Sequence, residues 1–364
     1  MSVCSASPRQ RKPLGLWASA VALLVLICGW VQSSDAAAPV QSGSKITWLG
    51  RTWNVTGVNM PWYNWGCDFG CNGNGGVVQT KNTLGARLAN LQSAGAHVVR
   101  WWVFPGENPW QITVDGTGRP TAVNAAVYAD FDAALELAEQ YDLYYNFVLF
   151  SAATHPTRSW IDNSTHRAAL AQALGPLFAR YRSNPRVMSW EIFNEPEFQI
   201  WDGEISEANT VLTARAISDS VHQNSDALVT IGHAFADGIP MWLNANLDYY
   251  SPHWYDYMSS AGDWCMSCND YNYYKNKYGI TKPIVVGEIY LGSDANPASR
   301  LNSFYDKGYA GVWGWSLFTE RTSDGLVVDM TAMRNFVTSH PDVGPKPQTG
   351  LTPPAPPTNL RIIR

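Results

Sequence analysis

Between about Ser44 and His340, short runs rich in β-branched and aromatic residues alternate with longer stretches of helical periodicity. That alternation constrains the fold more than any other feature of the chain. Parallel strands cannot be joined by a tight turn, and a helix is the usual crossover that carries the chain back. Eight runs read as strands: Val55–Trp62, Ala96–Phe104, Leu143–Phe150, Val187–Asn194, Leu228–His233, Tyr249–Tyr255, Pro283–Ile289 and Gly311–Leu317. Leu84–Ala94, Tyr128–Tyr141, Arg167–Tyr181, Glu207–Gln223 and Ala298–Lys307 read as helices between them. Eight such units predict an α/β chain closed into one (β/α)₈ TIM barrel. An open doubly wound sheet would show a glycine-rich first βα turn, and none is present.

Composition supports a large core. Hydrophobic residues make up 46% of the 364 and charged residues 15%, which is ample for burial. The formal charge is −5 and no basic stripe runs through the barrel region, so nucleic acid is excluded as the expected partner. Seventeen Trp and seventeen Tyr exceed the needs of packing. Flat rings with a polar edge suit a cleft that binds sugars.

Both ends differ from the middle. Arg9, Arg11 and Lys12 precede an apolar run from Leu14 to Val31, followed by Ser34-Asp35-Ala36-Ala37-Ala38-Pro39. Residues 1–36 therefore read as an export signal cut after Ala36, with an uncleaved anchor as the alternative. Either route sends the barrel out of the cytoplasm, secreted or periplasmic, and cleavage leaves no membrane partner. Cys4 and Cys28 belong to that segment. The remaining cysteines form two close pairs, Cys67/Cys71 and Cys265/Cys268. Local disulfides are the expectation in an oxidising compartment, and a four-cysteine zinc site is the alternative. Residues 341–357 read as a Pro-rich linker, and residues 358–364 look like the start of a truncated fibronectin type III-like module.

The chemistry rests on two glutamates. Glu195 closes the fourth predicted strand in Trp190-Glu191-Ile192-Phe193-Asn194-Glu195-Pro196, and Glu288 closes the seventh in Val285-Val286-Gly287-Glu288. Active sites of barrels lie at the carboxyl ends of the strands. Glycosidic cleavage with retention needs two carboxyl groups about 5–5.5 Å apart. Strand alternation brings Arg100, Asn194, His253, Tyr255 and Trp315 to the same mouth.

The runs "WEIFNEPE", "VVGE", "VVRWWV" and "HWYD" resemble clan A glycoside hydrolases, with family 5, the cellulases and β-mannanases, the most similar. The resemblance spans roughly residues 44–340 and implies a role for each residue. Glu195 would be the catalytic acid/base and Glu288 the nucleophile. Asn194 would bond the sugar 2-hydroxyl, Arg100 would hold Glu288 ionised, and Tyr255 would donate to Glu288. His253 would bind hydroxyls or tune Glu195, and Trp315 would form a stacking floor. Trp62, Trp65, Trp110, Trp201 and Trp264 are candidates for the outer cleft, and His155 and His233 for its rim.

The reading is thus a secreted retaining hydrolase cutting β-glycosidic bonds in a β-glucan or β-mannan, acting as a monomer on a poly- or oligosaccharide, with no cofactor and no metal. An exo-acting β-glycosidase or β-mannosidase and a non-catalytic carbohydrate-binding barrel are the alternatives. Glu288 beside Arg100 is expected to ionise easily, and Glu195 to keep its proton.

Overall fold

The computed structural model describes residues 40–42, 45–48, 51–71, 75–105, 110–151, 155–258, 262–318 and 325–344. The expected export segment, the Pro-rich segment beyond Gly344 and the 358–364 end lie outside the described residues.

Eight parallel strands form a closed barrel: Gly57–Met60, Val98–Phe104, Tyr144–Ser151, Val187–Asn194, Leu228–His233, Ser251–Trp254, Val285–Tyr290 and Gly311–Trp315. Each pairs with its neighbour in the chain, and the last closes on the first through Trp313↔Gly57 and Gly314↔Val58. The barrel expected from the βα alternation is the one observed. Its fourth and fifth strands fall on the expected residues end to end.

Several helices begin where a side chain can hold their first free N–H groups. Asn124 caps Ala125–Tyr141, Asn163 caps Ser164–Arg180, Ser206 caps Glu207–Asn224 and Asp329 caps Met330–Ser339. Their apolar faces bury Trp101, Phe131, Phe147, Phe178 and Trp190 against the outside of the barrel. Phe131 lies 4.7 Å from Phe147, and Phe178 lies 5.0 Å from Trp190, between ring centroids.

A second core joins the barrel to its amino-terminal sheet. Val98, Tyr144, Met188, Leu228, Tyr249, Val285 and Trp313 meet Ile46 and Trp53 there. Those two residues come from a small antiparallel sheet of Val40–Ser42, Lys45–Trp48 and Arg51–Trp53. The sequence reading placed no strand there and began the domain at 44. Strands of three or four residues carry too few alternations to stand out from a loop. Trp313 is fully buried in this core and donates to Val55 O at 2.8 Å. At the other end, Val343 bridges Asn54 and Gly344 N–H donates to Asn54 O at 3.1 Å. The barrel's contacts therefore run into the segment read as linker. A hairpin of Ile112–Val114 and Pro120–Val123, also unforeseen, follows the second barrel strand.

Both cysteine pairs are local disulfides, Cys67–Cys71 and Cys265–Cys268. All four sulfurs are consumed, which rules out the zinc alternative. Among the described residues no helix is long and apolar enough to cross a membrane.

The barrel closes tightly where its first and second strands meet. A Cβ on Gly57 would stand 2.0 Å from Val98 O, a backbone atom with nowhere to go. Gly57→Ala is predicted to cost about 3 kcal/mol or more, the scale of an overpacked core, read from urea unfolding. A loss below about 1 kcal/mol would mean that the two strands can separate locally.

Candidate active site

A layer of polar side chains crosses the barrel. Asn59, Arg100, Asn146 and Ser189 sit side by side on consecutive strands by register, and all are fully buried. Burial on this scale is tolerable only when every group finds a partner. Ser189 Oγ donates to Asn146 Oδ1, and Arg100 is the hub of the rest. Its Nε donates to Glu191 Oε2 at 2.8 Å and its Nη2 donates to Glu191 Oε1. Nη1 donates to Asn59 Oδ1 at 3.0 Å and to Glu288 Oε1 at 2.7 Å, and Nη2 also donates to Asn194 Oδ1 at 2.7 Å. Asn146 Nδ2 completes the shell of Glu191 at 2.6 Å. Burial opposes the charge on Arg100, but Glu191 and then Glu288 hold it protonated, above the ordinary range.

Asn59 ties the layer to the strand that carries Glu288. Its Nδ2 donates to Gly287 O and to Trp313 O, both at 3.0 Å. Glu288 itself is paired in register with His253. The Tyr255 hydroxyl donates to its Oε2 at 2.7 Å, so both carboxylate oxygens are held.

Glu195 stands opposite. Its backbone has φ +49°, and its N–H donates to Gly232 O at 2.6 Å. Strand alternation alone does not give this placement. Glu191 and Asn194, three positions apart, both reach Arg100, which a strict period of two forbids. The pairing shifts register between Thr230 and Gly232 opposite this stretch. A Cβ on Gly232 would lie 2.2 Å from Glu191 Oε1 and 2.5 Å from Arg100 Nη2, so this glycine makes room for the ion pair. His253 Nδ1 lies 2.7 Å from Glu195 Oε1 and 3.6 Å from Glu288 Oε1. One oxygen of each carboxylate and an imidazole nitrogen of His253 lie within 4.8 Å of one another.

Burial dominates the titration. It pushes Glu195 up to about 7, against the pull of Arg100 and Asn194. Glu288 is also raised by burial, opposed by His253, reinforced by Glu195 and opposed again by Arg100 and Tyr255. The expectation that Glu288 ionises easily is therefore corrected, because the cost of burying its charge outweighs its partners. The two carboxyls form one coupled pair that shares protons. Glu288 has donors on both oxygens, Arg100 and Tyr255, an arrangement that suits its carboxylate form. Burial drives His253 down to about 4, so its ring is neutral above that pH. A neutral imidazole can donate to an ionised Glu195 or accept from a protonated one by changing tautomer. Tyr255 is raised well above 10 by burial and by Glu288, and it stays a donor.

Aromatic rings line one side. Arg100 lies 4.3 Å over the Trp102 ring, and Trp102 meets Trp315 edge-on at 5.9 Å and Trp62 at 6.3 Å. Trp62 in turn touches Trp65, which is exposed. Farther out, Phe235 is stacked between Trp201 at 5.4 Å and Trp264 at 4.4 Å.

The structure thus brings together Glu195, Glu288, Arg100, Asn194, His253 and Tyr255, with Trp315 and Trp62 joined to them through Trp102. Trp110 stands exposed before the Ile112–Val114 strand. His155 begins a short helix, and its side chain lies outside the described residues. His233 is not a rim residue: it is fully buried and bonds Phe235 O through Nδ1 at 2.9 Å. Asn59 and Asn146 were missed. A lone Asn in each of two apolar runs was the available signal, since an amide inside a barrel strand needs a polar partner. Glu197 was missed too, within the quoted motif itself.

A closed eight-strand barrel with acidic groups facing each other at its mouth is the architecture of the clan A glycoside hydrolases. No family model matches the chain. It is similar to a mannan endo-1,4-beta-mannosidase of Mytilus edulis, 24% identical over 326 residues, covering 76% of this chain and 86% of that one. A mannan endo-1,4-beta-mannosidase of Cryptopygus antarcticus is 24% identical over 343 residues, covering 80% of this chain and 87% of that one. Among solved structures, the beta-mannanase of Mytilus edulis superposes with TM-score 0.69 at 21% identity, covering 85% of this chain and 98% of that one. The beta-1,4-mannanase of Aplysia kurodai gives TM-score 0.69 at 20% identity, covering 85% and 99%. The structural likenesses concern the fold. The two curated relatives, both mannan endo-1,4-beta-mannosidases, agree with the resemblance to clan A, family 5 glycoside hydrolases carried by the motifs around Glu195 and Glu288.

The buried ion pair gives a stability prediction. Glu191→Ala would leave the Arg100 fork facing a gap and is predicted to cost about 3–5 kcal/mol, the scale for breaking a buried pair. Denaturant unfolding measures it, and a loss under about 1 kcal/mol would place Glu191 outside the scaffold of the site.

Proposed function

We propose that the chain is an exported β-mannan hydrolase that cuts inside the polysaccharide with retention of configuration. The observation that carries the mechanism is that one carboxylate oxygen of Glu195 and one of Glu288 lie within 4.8 Å of each other. Inverting enzymes need about 6.5–9.5 Å to hold a water between their carboxyl groups, while retaining enzymes use about 5–5.5 Å.

In this reading Glu288 attacks the anomeric carbon, and the bond to the leaving oxygen breaks as Glu195 gives that oxygen its proton. A glycosyl ester on Glu288 results. Glu195, now a carboxylate, takes a proton from water, and the water oxygen displaces Glu288 and restores it. Arg100 and Tyr255 hold the two Glu288 oxygens at fixed angles, so one lone pair faces the sugar. They also receive the charge when the ester is released. Asn194 has its carbonyl oxygen fixed by Arg100, which turns its amide N–H groups toward a sugar 2-hydroxyl, a contact that strengthens in the transition state. Trp315 and Trp62 each offer an aromatic face on which a sugar ring stacks.

The substrate class follows the two curated relatives, both named mannan endo-1,4-beta-mannosidases. Export follows the basic-then-apolar start of the chain and its two disulfides, which persist in oxidising compartments.

The test is a product screen. Reducing ends should be released from β-1,4-mannan faster than from β-glucans, as short oligosaccharides from the earliest times. Glu288→Ala should lower turnover by about 10⁴-fold or more, and Glu195→Gln should spare substrates with activated leaving groups. Release of mannose alone would make the enzyme exo-acting; unchanged turnover of mannan by Glu195→Gln would remove the acid. The pH profile supplies a further check. Glu195 acts in its protonated form, so kcat/KM should fall about tenfold per pH unit above the pH near 7 at which burial sets its titration. A profile flat to pH 9 would contradict the role.

A further inference from the structure

Glu197 is buried to 1% exposure, two residues after Glu195, and neither the proposed chemistry nor the quoted family roles use it. Its carboxylate is held by donors. Trp242 Nε1 donates to Oε1 at 2.9 Å, Ala234 N–H donates to Oε2 at 3.2 Å, and the Glu197 backbone N–H also points at it. These partners come from the end of the fifth strand and from the Ile239–Trp242 turn, so Glu197 clips the turn that carries Glu195 to its neighbouring strand. A group accepting from N–H donors on both oxygens is bonded as a carboxylate; a proton on either oxygen would face a donor.

We propose that Glu197 is a positioning residue that fixes the Glu195 turn and keeps a buried negative charge behind it, so that Glu195 retains its proton. The inference rests on Glu195 being the acid. Burial pushes Glu197 up to about 7 against its backbone and Trp242 donors, with a smaller upward push from the Glu195 charge across Pro196, and burial brings Glu195 to about 7 as well. Two carboxyls poised together take the first proton as a pair, and their partners decide which one carries it. Glu197 has donors on both oxygens, whereas Glu195 has His253 Nδ1, which can accept. The proton therefore sits on Glu195.

The charged and titratable surroundings are consistent with this division. Glu195 faces Arg100 and Asn194 from its own side of the barrel, His253 and Tyr257 from the sixth strand and its loop, and Glu288 from the seventh. Glu197 faces His233 across Gly238, whose added Cβ would lie 3.4 Å from both Glu197 Oε1 and His233 Nδ1. Burial drives His233 down to about 3, so it brings no positive charge to Glu197. Asp237, in the same turn, is exposed and engaged by Trp264 Nε1.

The test is the alkaline limb of kcat/KM on mannan. Glu197→Gln removes the charge, so the limb should move to lower pH by about 0.5 unit or more, with kcat on the acid side within about threefold of wild type. Glu197→Asp keeps the charge and should restore the limb to within about 0.2 unit. Should Glu197→Gln fold poorly, Trp242→Phe removes one donor, lets Glu197 take a proton more readily and should move the limb in the same direction. A purely structural clip would lower kcat or stability and leave the limb in place. An unmoved limb in Glu197→Gln and Trp242→Phe, with Glu195→Gln still inactive on mannan, would overturn the proposal alone. Full activity in Glu195→Gln would overturn it together with the mechanism on which it rests.

Discussion

One guanidinium holds this barrel mouth in order. Arg100, without solvent exposure, bonds Glu191 twice and reaches Glu288, Asn59 and Asn194 with its remaining N–H groups. Moving such a cation out of water costs several kcal/mol, and it is tolerable here because two carboxylates share it. Every other feature of the site follows from where that fork points. It sets the angle of Glu288, pins the carbonyl of Asn194 and lies over the ring of Trp102, on which Trp315 and Trp62 lean.

The same dry environment divides labour between the two acids. In water, Glu195 and Glu288 would both be ionised at neutral pH. Within the barrel, burial raises both, and the positions of donors rather than the overall field select which one gives up its proton. Glu288 has Arg100 and Tyr255. Glu195 has an imidazole kept neutral by burial, a partner that serves it with or without a proton. The positive φ of Glu195 is part of this arrangement. A left-handed backbone at a glutamate is a cost of order 1–3 kcal/mol, and the bond to Gly232 O and the clip through Glu197 oppose its relaxation.

The sequence made the barrel legible because strand and helix periods differ and alternate regularly. All eight strands were placed to within a few residues, and Glu195 and Glu288 stood out by lying at strand ends in a known motif. What escaped was set by other terms. The antiparallel sheet carrying Ile46 and Trp53 is too short to show a period, and its purpose is visible only against the barrel core it joins. Asn59 and Asn146 are ordinary residues whose role comes from lateral register across strands far apart in sequence. The ease with which Glu288 ionises was misjudged because proximity to Arg100 was legible and the depth of its burial was not. His233 was read as a rim residue because a strand end does not reveal that the next loop folds over it.

The account stands or falls on Glu288 being the atom donor to a covalent intermediate while Glu195 faces it. A 2-deoxy-2-fluoro mannoside with a good leaving group should slow release of that intermediate enough to weigh it. Mass spectrometry of the intact protein and its peptides is predicted to find one fluorosugar, attached to Glu288. Attachment to Glu195, or turnover to an inverted product with no adduct formed, would contradict the account.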